Sequence, residues 1–255
     1  MGKLSVIVIT GNEERNLADC LFSVGWADEI VVVDSASEDR TVEIARRFTQ
    51  KVYIRPWEGY SAAKSFALQQ CTNDWVLWID ADERVTKELS AEIQNAVGRE
   101  VGDYVAFEFS RKSFFLGRWI RHCGWYPGYV VRLFRRTAGS FSDNKVHEYL
   151  KIEGNVGRLR NYLLHYTDPD LRHYFEKFNR YTTLAAEGLA EGGSSFSLVR
   201  LMLRPAWVFI RMYIIKRGFL DGMEGFILSV LSSCYVFTKY AKLWELTARN
   251  KRSNR

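Results

Sequence analysis

Asp80, Asp82 and Glu83 close a run that is otherwise apolar, "NDWVLWIDADERVT" from Asn73 to Thr86. Side chains two apart on an extended strand point the same way, so Asp80 and Asp82 are expected to face one cavity. Two converging carboxylates call for a cation. A hard divalent ion such as Mg²⁺ or Mn²⁺ suits oxygen ligands and would hold a diphosphate as well. Other acids stand at comparable places: Glu13 and Glu14, with Asn12, follow the first apolar run, and Asp34 ends the second. Phosphate handling falls to a metal because the glycine-rich alternatives are missing. After the first run the chain reads "TGNEERN", with one glycine where a dinucleotide fold shows G-x-G-x-x-G, and no G-x-x-x-x-G-K-[ST] occurs. An acidic pair after a strand also marks phosphatases with an aspartyl nucleophile, but there the strand is an early one and the fifth position is Thr or Val; here it is Arg84.

Four continuous apolar runs bounded by turn residues must position these groups: residues 4–9, 30–33, 52–54 and 75–79. Such runs read as buried parallel strands. Between them, 16–24, 41–48 and 61–71 place apolar residues at helical spacing, so the alternation predicts a parallel sheet wound in right-handed crossovers. Ligands of such a sheet sit beyond the carboxyl ends of its strands, where these acids fall. Further on, "DYVAFEFS" and "YVVRLFRR" read as strands, and the segment between them, "RKSFFLGRWIRHCGWYPG", as a long functional loop. From Asp170 the pattern is helical over 171–191, 196–217 and 223–250, separated by "GGSS" and "GFLDG". The division expected is a catalytic domain over 1–168 and a basic helical region over 169–255.

At 255 residues, 47% hydrophobic and 15% aromatic, the chain can bury a substantial core, which argues against disorder. The net charge of +6 is unevenly placed: residues 200–255 hold eleven Lys or Arg against three acids, a local +8 that leaves 1–199 at −2. The apolar residues mixed into that basic stretch favour an anionic membrane surface over nucleic acid. Cys20, Cys71, Cys123 and Cys234 form no C-x-x-C pair, against a zinc knuckle or a disulfide framework, and fit a reducing cytoplasm. "LSVIVI" is too short for a signal-peptide core, and no uninterrupted apolar stretch reaches the roughly 18 residues of a spanning helix.

Taken together, "LSVIVIT", "GNEE", "EIVVVDSASEDRT", "AAKSFALQQC", "WVLWIDADE", "KVHEYL" and the tail ending "KYAKLWEL" resemble a family 2 glycosyltransferase. Within that family the chain is most similar to core glucosyltransferases of lipopolysaccharide or lipooligosaccharide. The resemblance implies the GT-A fold, an α/β Rossmann-like and mostly parallel sheet with helices on both faces, followed by an amphipathic helical region. It implies inverting transfer from a nucleotide sugar, usually a UDP-sugar, with a divalent metal. Carried over by motif, Thr10, Asn12 and Glu13 would border the nucleotide, Asp34 would accept a hydrogen bond from the base, and Lys64 would approach the base or diphosphate. Asp80 would lie near the ribose and metal, and Asp82 would bind the metal directly. The family's aromatic before the Asn is Gly11 here, which leaves stacking on the base without its usual residue.

Inverting transfer needs a base that takes the acceptor hydroxyl's proton from the side opposite the leaving group. "SDNKVHEYL" offers Glu148, favoured because the family pattern places an acid after His147, with Asp143 second. His147 is a further candidate metal ligand, and His165 in "LLHYTD" another. The blander readings are that Asp34 caps the following helix, that Lys64 is a surface lysine, that Glu83 starts a helix and that Glu14 is solvated. The 111–129 segment, with Arg118, Arg121, Trp119 and Tyr126, suits a phosphorylated oligosaccharide, since aromatic faces pack on sugar rings and Arg forks grip phosphate. In the tail, apolar residues recur on one helical face from Phe226 to Trp244, and together with "RLMLRPAWVFIRMYIIKR", rich in Arg, Lys, Trp and Tyr, this fits a helix lying in a membrane interface. The partners expected are thus a UDP-sugar, a lipid-linked anionic oligosaccharide and the inner face of the cytoplasmic membrane, bound peripherally. Two other readings stay open: a sugar-nucleotide nucleotidyltransferase, which would want a glycine-rich loop after the first strand, and a non-catalytic membrane-bound scaffold.

Overall fold

The computed structural model describes residues 2–98, 102–141 and 150–253. By contact the chain divides into two units, Met1–Lys112 with Gly128–His165, and Ser113–Pro127 with Tyr166–Arg255.

The first unit is built on a mixed sheet. Its parallel part runs β3 (Val52–Ile54), β2 (Glu29–Asp34), β1 (Leu4–Thr10), β4 (Trp75–Asp80). The order then continues β8 (Gly128–Arg135), β6 (Tyr104–Phe115), β11 (Asn155–Asp168) and β5 (Glu83–Val85), with β8 antiparallel to β4 and to β6. A separate ribbon pairs β9 (Gly139–Phe141) with β10 (Leu150–Ile152). All seven residues of β1 are buried, because this central strand is covered on both faces. Its alternate side chains enter two cores. Val6 and Val8 join Leu17 and Leu21 of α1 (Leu17–Ser23), Ala45 of α2 (Thr41–Arg46) and Leu89 and Ile93 of α4 (Lys87–Gly98). Ile7 and Ile9 join Val33, Val76, Phe134 and Ala67 of α3 (Tyr60–Gln70). Each such side chain contributes about 1.5–3 kcal/mol relative to exposure, so acids are tolerated only at the strand tips.

The expected α/β sheet with helices on both faces is therefore what the chain forms, with β3, β2, β1 and β4 parallel and antiparallel strands added beyond β4. The chain leaves β1 for β2 and β3 on one side, then returns to place β4 on the other. This reversal puts a topological switch point between β1 and β4, where open α/β sheets bind ligands.

Three local expectations change. The 111–129 segment is only partly loop: β6 runs on to Phe115, turns at Leu116 and Gly117, and pairs through Phe114 and Phe115 with β7 (Arg118–Trp119). Its cations had masked a two-residue alternation in which Ser113 and Phe115 are buried while Phe114 is not. Glu83 starts no helix; it opens β5 and is fully buried. Asp34 caps no helix either, since α2 begins seven residues later and the Thr41 amide donates to Asp39 at 2.9 Å.

In the second unit, α5 (Leu171–Glu191), α6 (Leu198–Phe209) and α7 (Gly222–Ser253) form a helical bundle, with a π-helical extension Ile210–Ile215 and a 3-10 turn Gly218–Asp221 before α7. Asp170 and Ser197 cap α5 and α6 by accepting from His173 N and Arg200 N. Ala186, Tyr240 and Leu243 form one small core; Phe115, Ile120, Cys123 and Leu228 form another. The stretch Gly218–Ala248, with a mean hydropathy of 1.3 over its most apolar window, is long and apolar enough to cross a membrane by length and composition alone. Polar residues such as Ser232, Ser233, Thr238 and Lys239 interrupt it, so it holds no uninterrupted apolar run of that length.

Candidate active site

Strand register brings the carboxyl ends together. Thr10 lies opposite Asp34 on β2, and Ile9 lies opposite Asp80 on β4, so three adjacent strands end at one rim beside the switch point. Of these, Thr10 is buried and its hydroxyl has no hydrogen-bond partner among the described residues. A buried hydroxyl left so is costly and normally finds one.

The turns after β1 and β2 are laced to each other. Asn12 takes a left-handed φ of 57°, its amide donates to Ser37 Oγ at 2.8 Å, and its side-chain oxygen accepts from Glu38 N at 2.9 Å. Glu13 N donates to Thr41 Oγ1 at 2.8 Å, while its carboxylate accepts from Asn16 Nδ2 at 2.9 Å. Asn12 and Glu13 thus shape the rim. The exposed Glu14 carboxylate accepts from Arg40 N at 3.2 Å. Asp34 is fully buried and accepts from Ser37 N and Ser37 Oγ at 2.8 and 2.5 Å, one bond to each oxygen. A carboxylate offers about four acceptor positions, so capacity remains. Asp34 also lines a shallow surface cleft, with Ser35, Arg55, Trp57, Glu58 and Ala62.

Lys64 is no surface lysine. It is 3% exposed on α3, with Nζ 3.9 Å from the Trp78 ring centroid. The same ring carries Arg132 on β8, its Cζ 3.8 Å from the centroid. Arg132 is buried and donates from Nη2 to Asp80 Oδ2 at 2.6 Å and to Glu83 Oε1 at 2.9 Å, while its Nε and Nη1 have no hydrogen-bond partner among the described residues. Glu83 further accepts from Arg111 Nη1 at 3.2 Å and from Asp80 N at 2.9 Å. Burial pushes the Asp80 carboxyl up, but Arg132 and then Lys64 outweigh it and hold it at about 2. For Glu83, burial dominates and the pKa is raised despite Arg132. Asp80 is therefore a fixed anion at neutral pH, turned to face cations of the protein.

Asp82 faces His165 on β11, Nε2 to Oδ2 at 3.4 Å, and His165 lies opposite Glu83 in the β11–β5 pairing. A carboxylate oxygen and an imidazole nitrogen at this separation fit two adjacent ligands of one small cation, which stand about 3 Å apart around Mg²⁺. Among the described residues no three His, Cys, Asp or Glu side chains gather closely enough to hold a metal. Mg²⁺ commonly takes one or two protein donors and completes its shell with phosphate and water, so the pair fits as a partial set. Asp143, His147 and Glu148 lie outside the described residues.

Sequence reasoning missed Arg132 and Trp57, and it grouped Arg111 with the acceptor-binding segment, whereas Arg111 donates to Glu83. A lone cation inside the apolar run "VVRLF" was the available signal for Arg132, since a charge in a buried strand needs a paired acid. For Trp57, the signal was its place just past the end of β3, on the same rim.

Residues 5–162 match the model of glycosyl transferase family 2. Over 98% of this chain and 95% of the relative, the sequence is 32% identical to the lipopolysaccharide core biosynthesis glycosyltransferase LpsC of Rhizobium meliloti. An uncharacterized glycosyltransferase of Rickettsia typhi is also 32% identical, over 98% of this chain and 90% of its own. Among solved structures, the mannosyltransferase PcManGT of Pyrobaculum calidifontis, determined with GDP-Man and Mn²⁺, superposes with a TM-score of 0.57 at 15% identity, covering 95% of this chain and 87% of that one. With a switch-point rim of strand-end acids and a family match that runs through it, this chain belongs to glycosyl transferase family 2 and is a glycosyltransferase of the GT-A fold.

Proposed function

We propose that the protein is an inverting glycosyltransferase that moves a sugar, glucose in the specific reading, from a UDP-sugar onto a lipopolysaccharide inner-core acceptor, peripherally at the cytoplasmic face of the inner membrane. The observation that carries the donor part is the convergence of Thr10, Asp34, Asp80 and the Asp82–His165 pair on one rim beside the Asp34 cleft. The acceptor class is supported by the likeness to LpsC over nearly the full length of both chains.

In this reading the base enters the cleft beside Asp34. Trp57, 41% exposed at its edge, supplies the aromatic face that Gly11 does not. Asp80, held anionic by Arg132, takes the ribose side. Asp82 and His165 would hold Mg²⁺ or Mn²⁺, with Asp80 and His147 as further candidates; the ion would neutralise charge developing on the departing diphosphate. Glu148, or Asp143 in its place, takes the acceptor hydroxyl's proton as its oxygen attacks the anomeric carbon and the bond to the diphosphate breaks on the opposite face, which inverts the configuration.

The test is a thermal-shift screen of UDP- and GDP-sugars with and without Mn²⁺. A UDP-sugar should raise Tm only with metal, and Asp82→Ala should abolish the shift while leaving the Tm of the free protein within a few degrees. Trp57→Ala should raise the donor KM about tenfold with kcat little changed, the loss of one stacking contact of about 1.4 kcal/mol. A metal-independent shift of equal size in Asp82→Ala would overturn the assignment.

A further inference from the structure

Twelve of the protein's exposed large hydrophobic side chains fall between Leu198 and Phe226. Along α6 and its π-helical extension, Val199, Leu203, Trp207, Ile210 and Ile214 recur at three- or four-residue spacing and are 44–65% exposed. The opposite side is already occupied: Pro205 is buried, and Leu201 packs on the core of Tyr240 and Leu243. The helix is thus apolar on both sides, one facing the bundle and one facing outward. A monomeric soluble protein rarely displays a contiguous apolar ridge of this kind.

The charge around the ridge selects what covers it. From residue 192 to 220 the sequence has five cations, Arg200, Arg204, Arg211, Lys216 and Arg217, and no acid. All five are exposed. A second copy docked by a two-fold would set these cations against themselves, whereas anionic headgroups would neutralise them. Insertion across the bilayer by α7 is opposed by Lys239 and Lys242 in its second half and by the packing of Leu228, Tyr240 and Leu243 inside the bundle.

We propose that the ridge from α6 to the start of α7 lies in the plane of an anionic bilayer, with Leu203, Trp207, Ile210 and Ile214 sunk among the acyl chains and Arg200, Arg211, Lys216 and Arg217 at the headgroups, while Arg204 donates to Tyr240 of the bundle. This deepens the membrane setting of the proposed function by naming the docking surface, and it uses none of the donor-site residues.

Sedimentation of the full-length protein with vesicles tests it. The protein should pellet with phosphatidylcholine vesicles containing phosphatidylglycerol, and far less with phosphatidylcholine alone. Raising the salt should release it. Leu203→Glu with Trp207→Glu should lose vesicle binding while circular dichroism and the metal-dependent donor shift stay as in the parent, since both positions are exposed. Arg200→Gln with Arg211→Gln should weaken partitioning roughly thirtyfold, about 1 kcal/mol for each cation. Three results would overturn the proposal: no difference between the two vesicle types, retention through alkaline carbonate extraction, which marks a spanning helix, or a dimer in solution that Leu203→Glu dissociates without vesicle binding by either form. Failure of the donor shift alone would count against the proposed function and leave the docking surface standing.

Discussion

At the residue scale the site turns on Arg132. A guanidinium buried over Trp78 and shared between Asp80 and Glu83 has two consequences that a single substitution would mix. Arg132→Met leaves Glu83 buried with the longer ion pair to Arg111, and removing one partner of a buried pair costs about 3–5 kcal/mol. The same change frees Asp80 from its clamp. Adding Glu83→Gln removes the stranded charge, so Arg132→Met/Glu83→Gln should regain most of the urea stability of the parent and still bind donor at least tenfold more weakly. Equal donor affinity in the double variant would make Arg132 a purely structural residue. The acids at the strand ends were legible because their types and spacing are a sequence property. The cation that orients Asp80 was not, since β8 meets β4 only through long-range pairing.

At the element scale the parallel strands were legible as unbroken apolar runs, and the helices from α5 to α7 as clear 3.6-residue periods. β5 is only three residues long, and β11 hides its alternation behind Arg158, Arg160 and Asn161, two of which serve partners elsewhere: Arg158 pairs with Glu108 and Asn161 with Glu92. What holds the opposite, amino-terminal edge of the parallel strands is Glu29. Its carboxylate accepts from Ser5 on β1, from the Thr72 amide and hydroxyl before β4, and from Lys51 before β3. Burial pushes this carboxyl up, but Lys51, Ser5 and Thr72 outweigh burial and bring it from an ordinary 4.5 to about 2. A carboxylate depressed in the folded state gives stability that is complete above its unfolded pKa and is lost as pH falls through the folded one. Glu29→Gln should therefore cost roughly 2–3 kcal/mol at pH 7 and flatten the decline in urea midpoint between about pH 4.5 and 2. A variant whose midpoint still falls as steeply as the parent's over that range would show that Glu29 is not the group responsible.

At the scale of the whole molecule, the sequence suggests a cut after residue 168, where the strand pattern gives way to helices. The contacts divide the chain differently, grouping Ser113–Pro127 with the helices. That stretch carries Phe115, Ile120 and Cys123, which pack with Leu228 of α7, and its backbone amides at Arg121 and His122 donate to the buried Asp221 carboxylate at 3.2 and 2.8 Å. His122 Nδ1 adds a contact to the same carboxylate at 2.9 Å. No local pattern announces a partnership across about a hundred residues, since helical period and strand alternation report only near neighbours. A fragment comprising residues 1–168 keeps every strand but removes Leu228 and Asp221, so three nearly buried apolar side chains would meet water, a loss of about 1.5–3 kcal/mol for each large one. The fragment should accordingly bind a hydrophobic dye strongly, sediment as aggregates and express mainly in inclusion bodies, whereas the full chain with Leu228→Ala should stay folded at a cost of about 2–5 kcal/mol. A monomeric, dye-silent fragment with the parent's donor affinity would place the boundary at 168 after all and make residues 113–127 an adherent loop that the strands can do without.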